Sequence, residues 1–164
     1  MDIVIRPARE EDLEAAGRIS VEAFVGEGFT APDSPYAGLL RDTARRAREA
    51  ELLVAADPAD GRVLGCVTFA AGGTEWADIA TPEEGEIRML ATATAARGRG
   101  VGEALVRACV ARSRELGLAG MAFSTRPDMT TAHRIYERLG FRRTPGRDWA
   151  PRPGMDLLVY TMAF

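Results

Sequence analysis

The spacing of apolar positions changes several times along the chain, and each change marks an element. Ile3, Val4 and Ile5 form a short apolar run closed by Pro7, which reads as a first strand. The next segment, REEDLEAAGRISVEAF, carries acids in its first turn and sets Leu13, Ala16, Ile19 and Ala23 on one stripe, the mark of an amphipathic helix. Two glycines and two prolines make Val25–Tyr36 a loop, and a second helix is expected from Tyr36 to Ala50. ELLVAAD and RVLGCVTFAA are apolar runs separated by PADG, the chemistry of a hairpin. A long acidic loop, GGTEWADIATPEEG, precedes the alternating strand EIRMLAT.

A helix from Gly100 to Leu116 follows, with Val101, Ala104, Leu105, Ala108, Cys109 and Leu116 on one face. LAGMAFSTR reads as a strand. MTTAHRIYERLG is a helix with Ala132, Ile135, Tyr136 and Leu139 on one face and Gly140 as its C-terminal stop. FRRT and DLLVYTMAF are the last strands. The order β-α-α-β-β-β-α-β-α-β-β is that of an α+β fold, with a mixed central sheet of about seven strands flanked by about four helices.

Composition narrows the class. A chain of 164 residues, 46% hydrophobic and 27% charged, suits a single water-soluble domain over residues 1–164 with a real core. Its net charge of −3 argues against general nucleic-acid binding. All 21 basic residues are Arg, and Lys, Asn and Gln are absent, as the coding bias of a GC-rich bacterial genome would produce. Without lysine there is neither a Schiff base nor a Walker-type phosphate loop. Cys66 and Cys109 lie in apolar contexts with no metal-ligand spacing and read as buried, reduced thiols of a cytoplasmic protein. No apolar run approaches membrane-spanning length, and no metal site is expected.

The chemistry starts at Arg97-Gly98-Arg99-Gly100-Val101-Gly102, which joins a strand to an amphipathic helix. Glycines let the backbone approach a ligand closely, and amides at a helix N-terminus favour an anion. Two arginines add charge-assisted contacts, so the turn suits a pyrophosphate. Gly102 is followed by Glu103, which excludes the Walker pattern, and the glycine spacing fits a dinucleotide fingerprint poorly. The spacing does fit an acyl-CoA pyrophosphate loop, R/Q-x-x-G-x-G/A, through Arg97, Gly100 and Gly102.

With the later AHRIYERLGF (Ala132–Phe141), this loop makes the chain resemble the GNAT superfamily of acyl-CoA-dependent N-acyltransferases, and the element order agrees along nearly the whole length. The resemblance implies an acetyl-CoA-dependent N-acetyltransferase acting by direct attack of an amine on the thioester. Gly98 to Gly102, with Arg97, would hold the CoA pyrophosphate, the cofactor-binding set being Leu90, Ala91, Thr92, Arg97, Gly98, Arg99, Gly100, Val101 and Gly102. Leu90-Ala91-Thr92 match a strand whose backbone pairs with the pantetheine arm and which carries a bulge, splaying from its neighbour. Tyr136 falls on a tyrosine that protonates the departing thiolate. Thr92, Thr94 and Met129 depart from the usual Val, Pro and Asn.

Glu86 lies four residues before Leu90, where some members place a basic glutamate, and Glu84 is the alternative base. Glu86 could equally serve only as partner to a neighbouring arginine, and Tyr136 could be plain core. His133 reads as a surface or supporting group, and the run ARRARE as a solvated helix face. Trp76 and Trp149 could line a pocket or cap the core. The loops Val25–Tyr36 and Gly72–Gly85 carry Glu27, Asp33, Glu75, Asp78, Glu83 and Glu84 and no basic residue, which favours a cationic amine; Arg147 and Arg152 in Pro145–Gly154 counter it. The expected acceptor is a primary amine of a small molecule, amino acid or peptide N-terminus. A homodimer is implied by the resemblance alone, and neither nucleic acid nor membrane is expected as a partner. A non-catalytic acyl-CoA-binding sensor or scaffold shares both motifs and is the alternative; Tyr136 and Glu86 lean towards catalysis.

Overall fold

A computed structural model describes residues 2–164. Seven strands form one mixed sheet in the order β1-β2-β3-β4-β5-β7-β6, with five α-helices in the connections. The chain divides into two compact units, and both are discontinuous in sequence.

The first unit comprises the chain up to Phe69 together with Met89–Leu105. It holds β1 (Val4–Pro7), α1 (Leu13–Val21), α2 (Pro35–Arg41), α3 (Thr43–Glu49), β2 (Glu51–Ala56) and most of β3 (Val63–Ala71). β1, β2 and β3 pair antiparallel, with Val54 opposite Arg6 on one side and Cys66 on the other. Ala16, Ile19, Leu52, Val54, Val63, Cys66 and Ala91 form a buried core, with Leu13, Phe24 and Ala47 packed against it. Each large aliphatic group buried there is worth about 1.5–3 kcal/mol.

The single helix expected over Tyr36–Ala50 is two helices. Asp42 breaks it at φ −84°, ψ 65°, and its carboxylate accepts from the Arg45 amide to cap α3. A capping aspartate competes with continued helix, as short polar side chains do. The new angle turns Arg46 inward, so the solvated face expected of ARRARE holds for Arg45 and Arg48 but not for Arg46. Arg46 is fully buried and donates to Thr68 Oγ1 at 3.1 Å, Ser20 Oγ at 2.9 Å and the Leu40 carbonyl at 2.9 Å.

The second unit comprises Ala70–Arg88 and Val106–Phe164. It contains β5 (Gly120–Thr125), α5 (Thr130–Arg138), β6 (Arg142–Arg143) and β7 (Leu158–Ala163). β7 pairs antiparallel with β5 along its full length and with β6 at Thr161 and Tyr160. Phe123 is the hub of an aromatic core. Its ring lies 3.6 Å from that of Tyr136, 5.1 Å from Phe141 and 5.4 Å from Tyr160, centroid to centroid.

Besides β3, whose last two residues fall in the second unit, β4 (Glu84–Thr92), which begins before the expected EIRMLAT, and α4 (Val101–Glu115) run through both units. Both cysteines are buried, and neither forms a disulfide among the described residues.

Candidate active site

The expected site residues fall into one group in each unit. In the first unit the Gly/Arg turn leads into α4, whose opening amides have no carbonyl one turn back to donate to. Gly98 and Gly100 both have φ +80°, a conformation that residues with a Cβ rarely adopt. Open space lies where a Cβ would project from either. The turn is therefore open over its glycines, at the positive end of a 15-residue helix, which suits an anion such as a phosphate group. Val101 and Leu105, both buried, seat the helix start against Gly65 of β3.

Both arginines of the turn already hold carboxylates. Arg97 pairs with Glu27, which follows a π-helical turn over Glu22–Gly26 at the end of α1. Arg99 lies 3.5 Å from Asp57 in the β2–β3 turn. Arg97 remains half exposed, so its guanidinium stays within reach of an anion.

Ahead of the turn, β4 carries Leu90, Ala91 and Thr92. Met89 has φ +55°, the one left-handed non-glycine among the described residues, and it interrupts the strand as a bulge does. Holding a methionine there costs about 1–2 kcal/mol.

In the second unit the parallel pairing of β4 with β5 covers Glu84–Glu86 against Gly120–Ala122. Ile87 and Arg88 continue β4 without a β5 partner, while Phe123 to Thr125 keep their partners on β7. The two strands thus part just past Glu86. Side chains alternate across a sheet, so Glu86 shares a face with Ala122, and Phe123 with the Tyr136 ring lies on the other. Glu86 and Tyr136 make no hydrogen bond to each other among the described residues; they flank the opening from opposite faces.

Tyr136 is 5% exposed, and its hydroxyl makes no hydrogen bond among the described residues. Burial, with the nearby Cys109 thiol, pushes the phenol well above its ordinary value, so it stays protonated at neutral pH. Glu86 is 1% exposed. Its Oε1 accepts the backbone amides of Ile79 at 2.8 Å and Ala80 at 2.9 Å, and Oε2 accepts none among the described residues. Burial raises its carboxyl and outweighs those two amides; Asp78 pushes the same way and Arg88 opposes. A raised carboxyl is better matched to proton exchange near neutral pH than an ordinary one.

Glu84, the alternative base, is occupied otherwise. Burial pushes its carboxyl up, but the Arg147 fork and the Thr81 amide leave it below its usual range. His133 Nε2 lies 3.0 Å from the Arg126 carbonyl, with its ring against Tyr160. Trp76 is buried, and its carbonyl accepts from Arg88. Trp149 donates to Ser124 Oγ at 2.8 Å.

The contacts of Glu86 with the Ile79 and Ala80 amides, and of Arg147 with the Ile79 carbonyl, are features of this group that the residue pattern did not bring together. A backbone amide leaves no trace in sequence pattern. The only signal was an arginine within the Pro145–Gly154 segment expected to line the acceptor pocket.

Residues 14–141 match the acetyltransferase (GNAT) family. The chain is 35% identical over 147 residues to a mycothiol acetyltransferase of Cellulomonas flavigena, covering 84% of this chain and 39% of that protein. A mycothiol acetyltransferase of Parafrankia sp. is 41% identical over 59 residues, 36% of this chain and 18% of its own length. The chain therefore spans under two-fifths of these relatives. Among solved structures, a GNAT-family acetyltransferase of Staphylococcus aureus Mu50 superposes with a TM-score of 0.76 at 14% identity, covering 99% of both chains. YncA of Salmonella typhimurium, a putative acetyltransferase solved with its cofactor acetyl-CoA, gives 0.72 at 19% identity, covering 99% of this chain and 94% of that one. The seven-stranded mixed sheet with five helices is shared with such structures, and the chain belongs to the GNAT acetyltransferase family.

Proposed function

We propose that the protein is an N-acetyltransferase that moves an acetyl group from acetyl-CoA to a primary amine of a small molecule, an amino acid or a peptide N-terminus. The observation that carries this reading is the bare turn at the start of α4, with left-handed Gly98 and Gly100 and the half-exposed Arg97 beside them. Its amides, with Arg97 and Arg99, would hold the CoA pyrophosphate, while Leu90, Ala91 and Thr92 offer backbone to the pantetheine arm. Acetyl-CoA supplies the activated acyl group; the chain supplies orientation and proton movement.

In the transfer, the amine nitrogen forms a bond to the acetyl carbon and the carbon–sulfur bond breaks. The proton lost by the amine goes to Glu86, at Oε2 or through a water. The proton gained by the sulfur comes from Tyr136. The two groups on opposite faces of the opening suit an acceptor that arrives from one side and a leaving group that departs on the other. We assign the protein to the cytoplasm; among the described residues no helix is long and apolar enough to cross a membrane.

The test is release of free CoA thiol from acetyl-CoA across a panel of small amines, amino acids and peptides, with mycothiol-related amines included because the relatives bear that name. Turnover with one of them is expected. Calorimetric CoA binding without turnover on any would favour the sensor instead.

A further inference from the structure

We propose that Arg147, from the β6–β7 connection, is a positioning residue for Glu86, acting through the peptide group that joins Ile79 to Ala80. This rests on Glu86 being the base.

The bonds run in sequence. Arg147 Nη2 donates to the Ile79 carbonyl oxygen at 2.9 Å. The amide at the other end of that peptide plane, Ala80 N–H, donates to Glu86 Oε1 at 2.9 Å. A cation drawing on the carbonyl end makes the amide end a stronger donor, because hydrogen bonds in a chain polarise one another. The Ile79 amide adds a second bond to the same oxygen at 2.8 Å. Both bonds hold Oε1 and leave Oε2 facing away from the anchor.

Arg147 is itself held in one orientation. Its guanidinium forks onto Glu84, Nη1 to Oε2 and Nη2 to Oε1, each at 2.9 Å. Glu84 Oε1 also accepts the Thr81 amide at 3.0 Å. Three successive amides, of Ile79, Ala80 and Thr81, are thus shared between two carboxylates two residues apart on β4, with Arg147 closing the arrangement. A planar fork can serve Glu84 and a carbonyl together; an ammonium is a point charge without that shape. The charged groups around Glu86 are Asp78 from the loop, Glu84 and Arg88 from its own strand, and Arg147. Of these, Arg147 is the one bonded to the peptide that carries a Glu86 bond.

The experiment is a titration of Arg147→Met and Arg147→Lys alongside the parent protein. Carbon NMR of protein labelled at glutamate carboxyls follows Glu86, its resonance identified by its loss in Glu86→Gln. In Arg147→Met the Glu86 carboxyl should titrate about half a pH unit or more higher, with Arg147→Lys in between. The acid limb of kcat/KM for the amine should move up by the same amount, with KM for acetyl-CoA within about twofold of the parent. If the resonance moves and the kinetic limb does not, Glu86 is not the base and the catalytic meaning of Arg147 falls with it. If the resonance stays in place, the proposal itself is overturned. Should Arg147→Met fail to fold by circular dichroism, Arg147→Gln, which keeps a donor for the Ile79 carbonyl without the charge, carries the same two readouts.

Discussion

At the scale of single residues, the site depends on where protons and charges are held. Tyr136 is buried among rings and its phenol is raised, so it keeps its proton at neutral pH, the form its proposed task as donor to the departing sulfur requires. Tyr136→Phe should lower kcat about a hundredfold, within the usual range for a lost general acid, while KM for acetyl-CoA stays within about threefold. Steady-state kinetics check it, and an unchanged kcat would remove the acid role. Arg97 pairs with Glu27, and in the proposed cofactor complex it would be shared with a phosphate. Arg97→Ala should weaken CoA binding about tenfold, and Glu27→Gln should strengthen it, both by calorimetry. Equal affinity in all three proteins would take Arg97 out of the cofactor site.

The elements hold these residues in place through close packing. A methyl group at Gly65 would lie 2.7 Å from both the Ala91 carbonyl oxygen and Val101 Cγ1, closer than packed atoms come. Gly65→Ala should destabilise the fold by about 2–3 kcal/mol in urea melts and weaken CoA binding, because it lifts the start of α4 away from β3. Most elements were legible in the sequence because each carries its own period: the α1 and α5 stripes, the hairpin turn and the glycine stop at Gly140. The break at Asp42 was not, since the segment keeps a helical period across it and only the cap shows where it turns. Nor was Arg46, an arginine among arginines whose burial rests on Ser20 and Thr68, more than twenty residues away on either side. In the candidate site, Arg97 to Gly102 and Tyr136 were legible as motifs, and Glu86 as a position. Its anchoring by loop amides was not, because the donors belong to the backbone.

For the whole molecule, stability should vary with pH in two opposed ways. The hydrogen bonds from Arg6 hold the Asp12 carboxyl below its usual range despite burial, as do the Arg9 amide and nearby charge. A depressed carboxyl stabilises the fold above its unfolded value, near 4, and that contribution is lost as pH falls through the folded value. Glu86 has the opposite sign: its raised carboxyl favours the fold most below its unfolded value and less as pH rises through the folded one. Asp12→Asn should therefore lose less stability than the parent between pH 5 and pH 2, an interval of about three units around the carboxylate range, in urea melts. A parallel loss in both proteins would show that the Arg6–Asp12 pair contributes nothing to acid sensitivity.

The interleaving of the two units bears on how the chain matures. Synthesis delivers Ala70–Arg88 before Met89–Leu105 completes the first unit, and well before Val106–Phe164 exists to receive it. A strand waiting for distant partners is usually exposed to mispairing. Here Glu84 and Glu86 take the amides of Ile79, Ala80 and Thr81 from within that same short segment. The waiting stretch can close on its own carboxylates, at the low entropic cost of a small loop. The anchors that hold the proposed base in the finished enzyme would thus act first as a clasp on the nascent chain.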